Sequence, residues 1–172
     1  MLDPLHDLKQ GSFGGEPCAQ VWADFYLWEV VLNENPQLRG IVELGTWRGG
    51  FTRYLHAQAT VRWEEPIFKS YDIFEPAVAV PGFEKLDIYR YADRVKGFLG
   101  TLDAPVALFC DGGNKPRELA TFPASLPERS VVIVHDWGTE TLLDDVPDNL
   151  VECYGELCDS IHSMSRVFTV VL

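Results

Sequence analysis

The stretch IVELGTWRGGFT at residues 41–52 constrains the fold more than any other part of the chain. Ile41, Val42 and Leu44 form a short apolar strand with acidic Glu43 near its tip, and Gly45, Gly49 and Gly50 follow as a turn. Glycine removes side chains where backbone must pass close to a ligand or adopt positive φ. Thr52, Tyr54 and Leu55 then open an amphipathic helix. A strand, a glycine-bearing turn and a helix in this order is where a doubly wound α/β protein holds its nucleotide-like ligand. The three fixed glycines of a pyrophosphate-binding G-x-G-x-x-G loop are missing, and so is a Walker A lysine. The loop therefore suits a ligand with no phosphates to cradle.

The remaining periodicities extend the same architecture. Residues 18–33 place Val21, Phe25, Trp28 and Leu32 at helical spacing, ending before Pro36. Strands are expected at 41–45, 67–73, 95–99, 106–110, 131–134 and 167–172. Helices are expected at 50–60, 83–92, 115–125 and 147–163, with Pro116 in a first turn where proline is tolerated. Strands alternating with helices predict a Rossmann-like, mostly parallel, three-layer α/β/α sheet, shortened at its C-terminus. Residues 1–15 read as a loose, flexible arm, and 16–172 as one domain.

Composition excludes several classes. A chain of 172 residues is one domain by size and buries roughly 70% of its unfolded surface. Its net charge is −12, and seven acids without a Lys or Arg lie between Trp137 and Ile161. Such a face repels polyanions, so nucleic acid and anionic membranes are poor partners. Cys18, Cys110, Cys153 and Cys158 show no C-x-x-C spacing and no disulfide framework. The N-terminus lacks the basic and apolar regions of a signal peptide, and no apolar run approaches membrane-spanning length. A cytoplasmic protein is expected.

In doubly wound sheets, ligands bind beyond the carboxyl ends of the strands. That rule gathers Glu43, Gly45, Asp72, Asp111, His135 and Asp136 along one edge. S-adenosylmethionine (SAM) is the commonest phosphate-free ligand of such loops. Asp72, ending IFKSYD, is placed to accept both ribose hydroxyls of an adenosyl group. If the strands at 106–110 and 131–134 are neighbours, Asp111, His135 and Asp136 converge. Two carboxylates about 4 Å apart repel by roughly 4 kcal/mol at an effective dielectric near 20. Either a divalent cation or Lys115 relieves that repulsion. Hard oxygen ligands favour Mg²⁺ or Mn²⁺, and the imidazole leaves Fe²⁺ or Zn²⁺ open.

These residues carry a resemblance. ELGTWRGG resembles the ETGVWRGG-type motif of the macrocin O-methyltransferase family, class I SAM-dependent enzymes acting on sugar hydroxyls. VKGFLGTLDAP at 95–105 is similar to that family's segment before its fourth strand. DGGNKPRELATFPASLPERSVVIVHDW at 111–137 resembles the D-G-D … V-I-V-D-D-Y region, and also the metal pattern of catechol-type O-methyltransferases and of cephalosporin hydroxylase-like proteins. The resemblance spans about residues 20–137. It implies cofactor contacts from Glu43, Gly45, Thr46, Trp47, Gly49, Asp72, Ile73 and Asp111. It also implies metal ligation by Asp111, His135 and Asp136, with His135, Asp136 and Lys115 as candidate catalytic residues. Three positions depart from the family: Gly113 replaces the second Asp of D-G-D, His135 replaces the first Asp of D-D, and Lys115 lies one residue later than the catechol-type lysine. The family's terminal antiparallel hairpin is also missing from the expected strands, so the pocket is expected to be open or completed by a second subunit in a homodimer.

The function expected is SAM-dependent O-methylation of a small-molecule hydroxyl, a sugar or a phenol, assisted by a divalent metal, with Mg²⁺ first. An inactive SAM-binding or interaction module of the same fold, and an NAD-dependent α/β enzyme, are the alternatives. An acidic rim favours a neutral or cationic acceptor.

Overall fold

The computed structural model describes residues 11–171. A two-stranded ribbon, β1 (Ser12–Phe13) and β2 (Glu16–Pro17), precedes helix α1 (Trp22–Glu34). Strand β3 (Gly40–Leu44), helix α2 (Gly50–Arg62) and strand β4 (Ile67–Asp72) follow. Then come β5 (Phe83–Lys85), α3 (Ala92–Leu99), β6 (Ala107–Cys110), α4 (Lys115–Thr121) and β7 (Val131–Val134). The chain closes with β8 (Leu150–Cys153), α5 (Gly155–Ser160) and β9 (Arg166–Val170).

Seven strands form one sheet in the order β5-β4-β3-β6-β7-β9-β8. The first five are parallel, and β9 runs antiparallel to both β7 and β8. Parallel strands are covered on both faces, so their side chains read as unbroken apolar runs that divide alternately between two cores. Ile41, Phe109 and Ile133 pack on one face with Trp28, Phe51 and Leu55. Val42, Leu108 and Val132 pack on the other with Val95, Leu99 and Phe122. Each such side chain contributes about 1.5–3 kcal/mol by leaving water.

The expected α/β sheet is therefore present, with local corrections. Residues 95–99 are helix: Val95 and Leu99, four apart, are buried on one face of α3. The segment expected as helix at 83–92 begins instead with β5, three residues paired in parallel to Ser70–Asp72. The expected helix at 147–163 divides at Tyr154, whose φ of 61° ends β8 before α5 begins. Strands β8 and β9 supply the antiparallel hairpin that the sequence reading left out. Residues 1–10 of the expected arm lie outside the described residues. The ribbon that follows them is packed, with Phe13 edge-on to Tyr54 of α2 at 5.7 Å. No described helix is long and apolar enough to cross a membrane.

Candidate active site

The last rungs of the parallel ladder align the strand ends. Gly45 N–H donates to Tyr71 O, Asp111 N–H to Leu44 O and His135 N–H to Cys110 O, at 2.9, 2.9 and 3.1 Å. One edge of the sheet thus carries the turn after β3 and the first residues after β6 and β7.

Gly45 has φ +103°, and a Cβ there would sit 2.2 Å from the Asp111 carbonyl oxygen. Any other residue is excluded both by conformation and by space. The turn is braced by Asp72 at the tip of β4. Its Oδ2 accepts from the N–H groups of Thr46 (3.0 Å) and Trp47 (2.8 Å), and its Oδ1 from Phe74 N–H at 3.0 Å. Beneath it, fully buried Glu43 accepts from Ser70 Oγ at 2.6 Å, and Ser70 pairs in turn with Thr46 Oγ1. Burial pushes the Glu43 carboxyl up to about 8, against the lowering effect of Ser70.

A cavity of about 240 Å³ opens at this edge between the turn, the Asp72–Phe74 segment, residues 86–89 and Gly112–Gly113. Gly45, Asp72 and Ile73 line it as expected. Glu43, Thr46, Trp47 and Asp111 instead line a smaller chamber beside it. Gly49 lines neither; it has φ +88°, caps α2 and faces Val80 and Pro76. The wall formed by Leu86, Asp87, Ile88 and Tyr89 escaped the sequence reading, because that stretch was read as helix. Asp87 folds it back, its Oδ1 accepting from Tyr89 and Arg90 N–H at 3.0 Å each. Buried Glu118 ties this wall to the opposite one, accepting from Tyr89 Oη and from Gly112 N–H.

Strands β6 and β7 are neighbours, and Asp111, His135 and Asp136 do converge, with one ligand atom from each lying within 4.8 Å of the others. His135 Nδ1 stands 3.1 Å from Asp111 Oδ1 and 3.4 Å from Asp136 Oδ1. Nε2 faces Asp24 Oδ2 of α1 at 3.6 Å. None of these contacts has hydrogen-bond alignment, so both buried ring nitrogens are left without a partner. Asp24 is itself fully buried, accepting from Val21 N–H, Ser163 Oγ and Ser165 Oγ. Lys115 Nζ lies 2.9 Å from both Asp136 Oδ2 and Glu140 Oε2, and 3.7 Å from Asp111 Oδ1.

The charges settle one another. Burial alone would lower the His135 imidazolium, but the carboxylates of Asp111, Asp136 and Asp24 outweigh it and raise it to about 12. His135 and Lys115 hold Asp136 well below the ordinary carboxylate range. Burial raises Asp111 in spite of His135. Lys115, lowered by burial but raised more by Asp136 and Glu140, keeps its proton. Asp24, Glu118 and Glu140 were not singled out in the sequence, since each lies outside the strand ends that the ligand rule selects.

At the level of sequence, no protein-family model and no curated protein matches the chain. The fold does match solved structures. A cmcI structure with Mg and SAM superposes at a TM-score of 0.57 and 14% identity, covering 73% of this chain and 57% of that one. A second, with SAH, superposes at 0.65 and 13%, covering 92% and 81%. The MycE methyltransferase from the mycinamycin biosynthetic pathway, in complex with Mg, SAH and mycinamycin VI, superposes at 0.55 and 14%, covering 89% and 50%. The chain thus spans little more than half of the first cmcI chain and half of MycE. The sequence resemblance is borne out as a shared Rossmann-like fold.

Proposed function

We propose that the chain is a SAM-dependent methyltransferase acting on a hydroxyl of a small molecule, a sugar or a phenol, with a divalent cation, Mg²⁺ first. One observation carries this reading. The cavity at the Gly45 turn, bounded by Asp72, lies at the same sheet edge as the carboxylate–imidazole cluster of Asp111, His135 and Asp136. Adenosyl binding and acceptor activation would therefore sit side by side. Support comes also from the solved structures of this fold that hold SAM or SAH, two of them with Mg.

The residues fit both groups. The glycine at 45 leaves open a backbone cradle that a Cβ would block, and Asp72 Oδ1, with one N–H donor so far, has acceptor capacity left for a ribose hydroxyl. Two carboxylates and an imidazole with unpartnered nitrogens make a mixed oxygen and nitrogen donor set. Asp111, His135 and Asp136 would hold the cation, and Lys115 would turn to Glu140, which it already touches.

A sulfonium donor supplies a methyl group that is already activated, and a bound cation lowers the proton affinity of an acceptor hydroxyl. The chain's own work is positioning. Asp72 braces the turn, Glu118 and Tyr89 fix the far wall, and Asp24 backs His135 from α1. The carboxylates of Asp111, Asp136 and Asp24 favour a proton on His135, and a cation on Asp111 and Asp136 would displace it as the imidazole joins the ligand set. Lys115 keeps its proton.

The test is transfer of an isotopically labelled methyl group from SAM to a panel of sugar and phenol acceptors. Labelled product that disappears with a chelator and in Asp136→Ala is expected. Turnover by Asp136→Ala equal to the parent would remove the cation from the reading, and no product from any acceptor would remove the transfer.

A further inference from the structure

His135 stands where the family that the chain resembles carries an acid, so the nitrogen in the cluster is this chain's own. Behind the ring lies Asp24, fully buried in the first turn of α1. Its Oδ1 accepts from Ser163 Oγ at 2.7 Å and Ser165 Oγ at 3.0 Å, and its Oδ2 from Val21 N–H at 3.1 Å. Donors from the start of α1 and from the segment before β9 thus hold the carboxylate in one place. Its Oδ2 faces His135 Nε2 at 3.6 Å. Across the ring, Nδ1 faces Asp111 and Asp136 at 3.1 and 3.4 Å.

A buried carboxylate is costly unless a positive charge answers it. Among the described residues no lysine or arginine pairs with Asp24, and its ion-pair partner is the His135 ring. The hydroxyl and backbone donors around it are neutral. Its charge is therefore answered through the imidazole, from the side where Asp111 and Asp136 lie. The same contact chooses between the two neutral forms of the ring. A carboxylate accepts and does not donate, so it selects the form with hydrogen on Nε2. The lone pair then sits on Nδ1, toward the Asp111 and Asp136 oxygens. Nδ1 is buried with no hydrogen-bond partner, a need that a cation would meet.

We infer that Asp24 is a positioning residue for the cation: it holds His135 so that Nδ1 is the ligand, and it sets how strongly the site takes nitrogen-preferring ions relative to Mg²⁺. The inference rests on the cation in the reading above and is independent of the acceptor. Carboxylate oxygens suit Mg²⁺, whereas imidazole favours ions further along the Mn²⁺ to Cu²⁺ series, Co²⁺ among them. A carboxylate behind a ligating histidine fixes the ring and raises its basicity. Removing Asp24 therefore weakens Co²⁺ and leaves Mg²⁺, which the carboxylates of Asp111 and Asp136 would hold, close to where it was.

The experiment is calorimetric titration of the parent, Asp24→Leu and Asp24→Asn with Co²⁺ and, separately, with Mg²⁺. Asp24→Leu is close in shape and removes the acceptor. It is expected to weaken Co²⁺ binding by roughly 10–100-fold and Mg²⁺ binding by less than about threefold. Asp24→Asn keeps an oxygen for Nε2–H and loses the charge, so Co²⁺ is expected to weaken by roughly three- to tenfold with Mg²⁺ little moved. The Asn variant tests the inference by itself if the Leu variant fails to fold. Equal weakening of the two ions, or no change in either, overturns the positioning role of Asp24 alone. Failure of the parent to bind either ion would remove the cation from the reading above, and this inference with it.

Discussion

Lys115 Nζ stands 2.9 Å from Asp136 Oδ2, inside the group of acids that is also the candidate cation site. An ammonium and a divalent cation cannot both neutralise the same carboxylate at full strength. Lys115→Met should cost about 1–3 kcal/mol of stability, since it leaves a half-buried acid with one cationic partner fewer. It should also tighten Mn²⁺ or Mg²⁺ binding by roughly tenfold, because a like charge has left the site. Denaturant unfolding with and without the ion reads both. Weaker ion binding by the variant would mean that Lys115 supports the site and does not compete for it.

Glu43 gives the pH dependence. Its carboxyl is raised to about 8 in the folded protein, chiefly by burial, from an ordinary 4.5. Between those values the unfolded chain has released the proton while the native chain still holds it. Stability therefore falls as pH rises through this window. Glu43→Gln keeps the acceptor for Ser70 and removes the titration. The variant should match the parent near pH 4.5 and exceed it near pH 9, on the order of a few kcal/mol. Parallel stability curves for the two proteins would show that Glu43 ionises normally.

Asp72 serves the turn as well as the ligand. Asp72→Ala removes the acceptor for three backbone N–H groups, of Thr46, Trp47 and Phe74. It should weaken adenosyl binding by one to two orders of magnitude, from roughly 1.5–3 kcal/mol of lost charge-assisted bonding. It should also lower the melting temperature, which a residue that only touched ribose would leave in place. Unchanged binding by calorimetry would place the ribose elsewhere.

Gly45→Ala should be among the least tolerated substitutions. The added Cβ would meet the Asp111 carbonyl at 2.2 Å in backbone of φ +103°. Backbone strain alone contributes about 1–3 kcal/mol, and the clash is with the Asp111–Gly112 backbone, which a flexible side chain cannot relieve. A variant of parental stability, checked by denaturant titration, would show that the turn is not held as described.

The legible parts of the molecule were those where backbone chemistry forces residue choice. Gly45, Gly49 and Gly50 mark a tight turn, and Val131–Val134 and Ile41–Leu44 are β-branched or leucine-rich strands with no competing pattern. From these the site edge followed, and with it the approach of Asp111 to His135 and Asp136. The errors arose where one spacing serves two structures. Val95 and Leu99 read as the ends of a short strand, yet four residues is also one helical turn, and burial in the cluster that holds Val42, Leu108 and Phe122 suits the helix. Phe83–Lys85 is too short for alternation to register, so the wall that carries Asp87 and Tyr89 was lost. Gln20 and Asp24 reach the site across 91 and 111 residues of sequence, through contacts that only the packed α1 segment creates.

Calorimetric titration of the purified protein with SAM, with and without Mg²⁺ and with NAD as control, tests the central claim most directly. Micromolar binding of SAM and none of NAD is the predicted result, whether or not the ion is present. Binding of NAD in its place, or of neither ligand under any condition, would contradict the assignment of the Gly45 cavity to an adenosyl sulfonium.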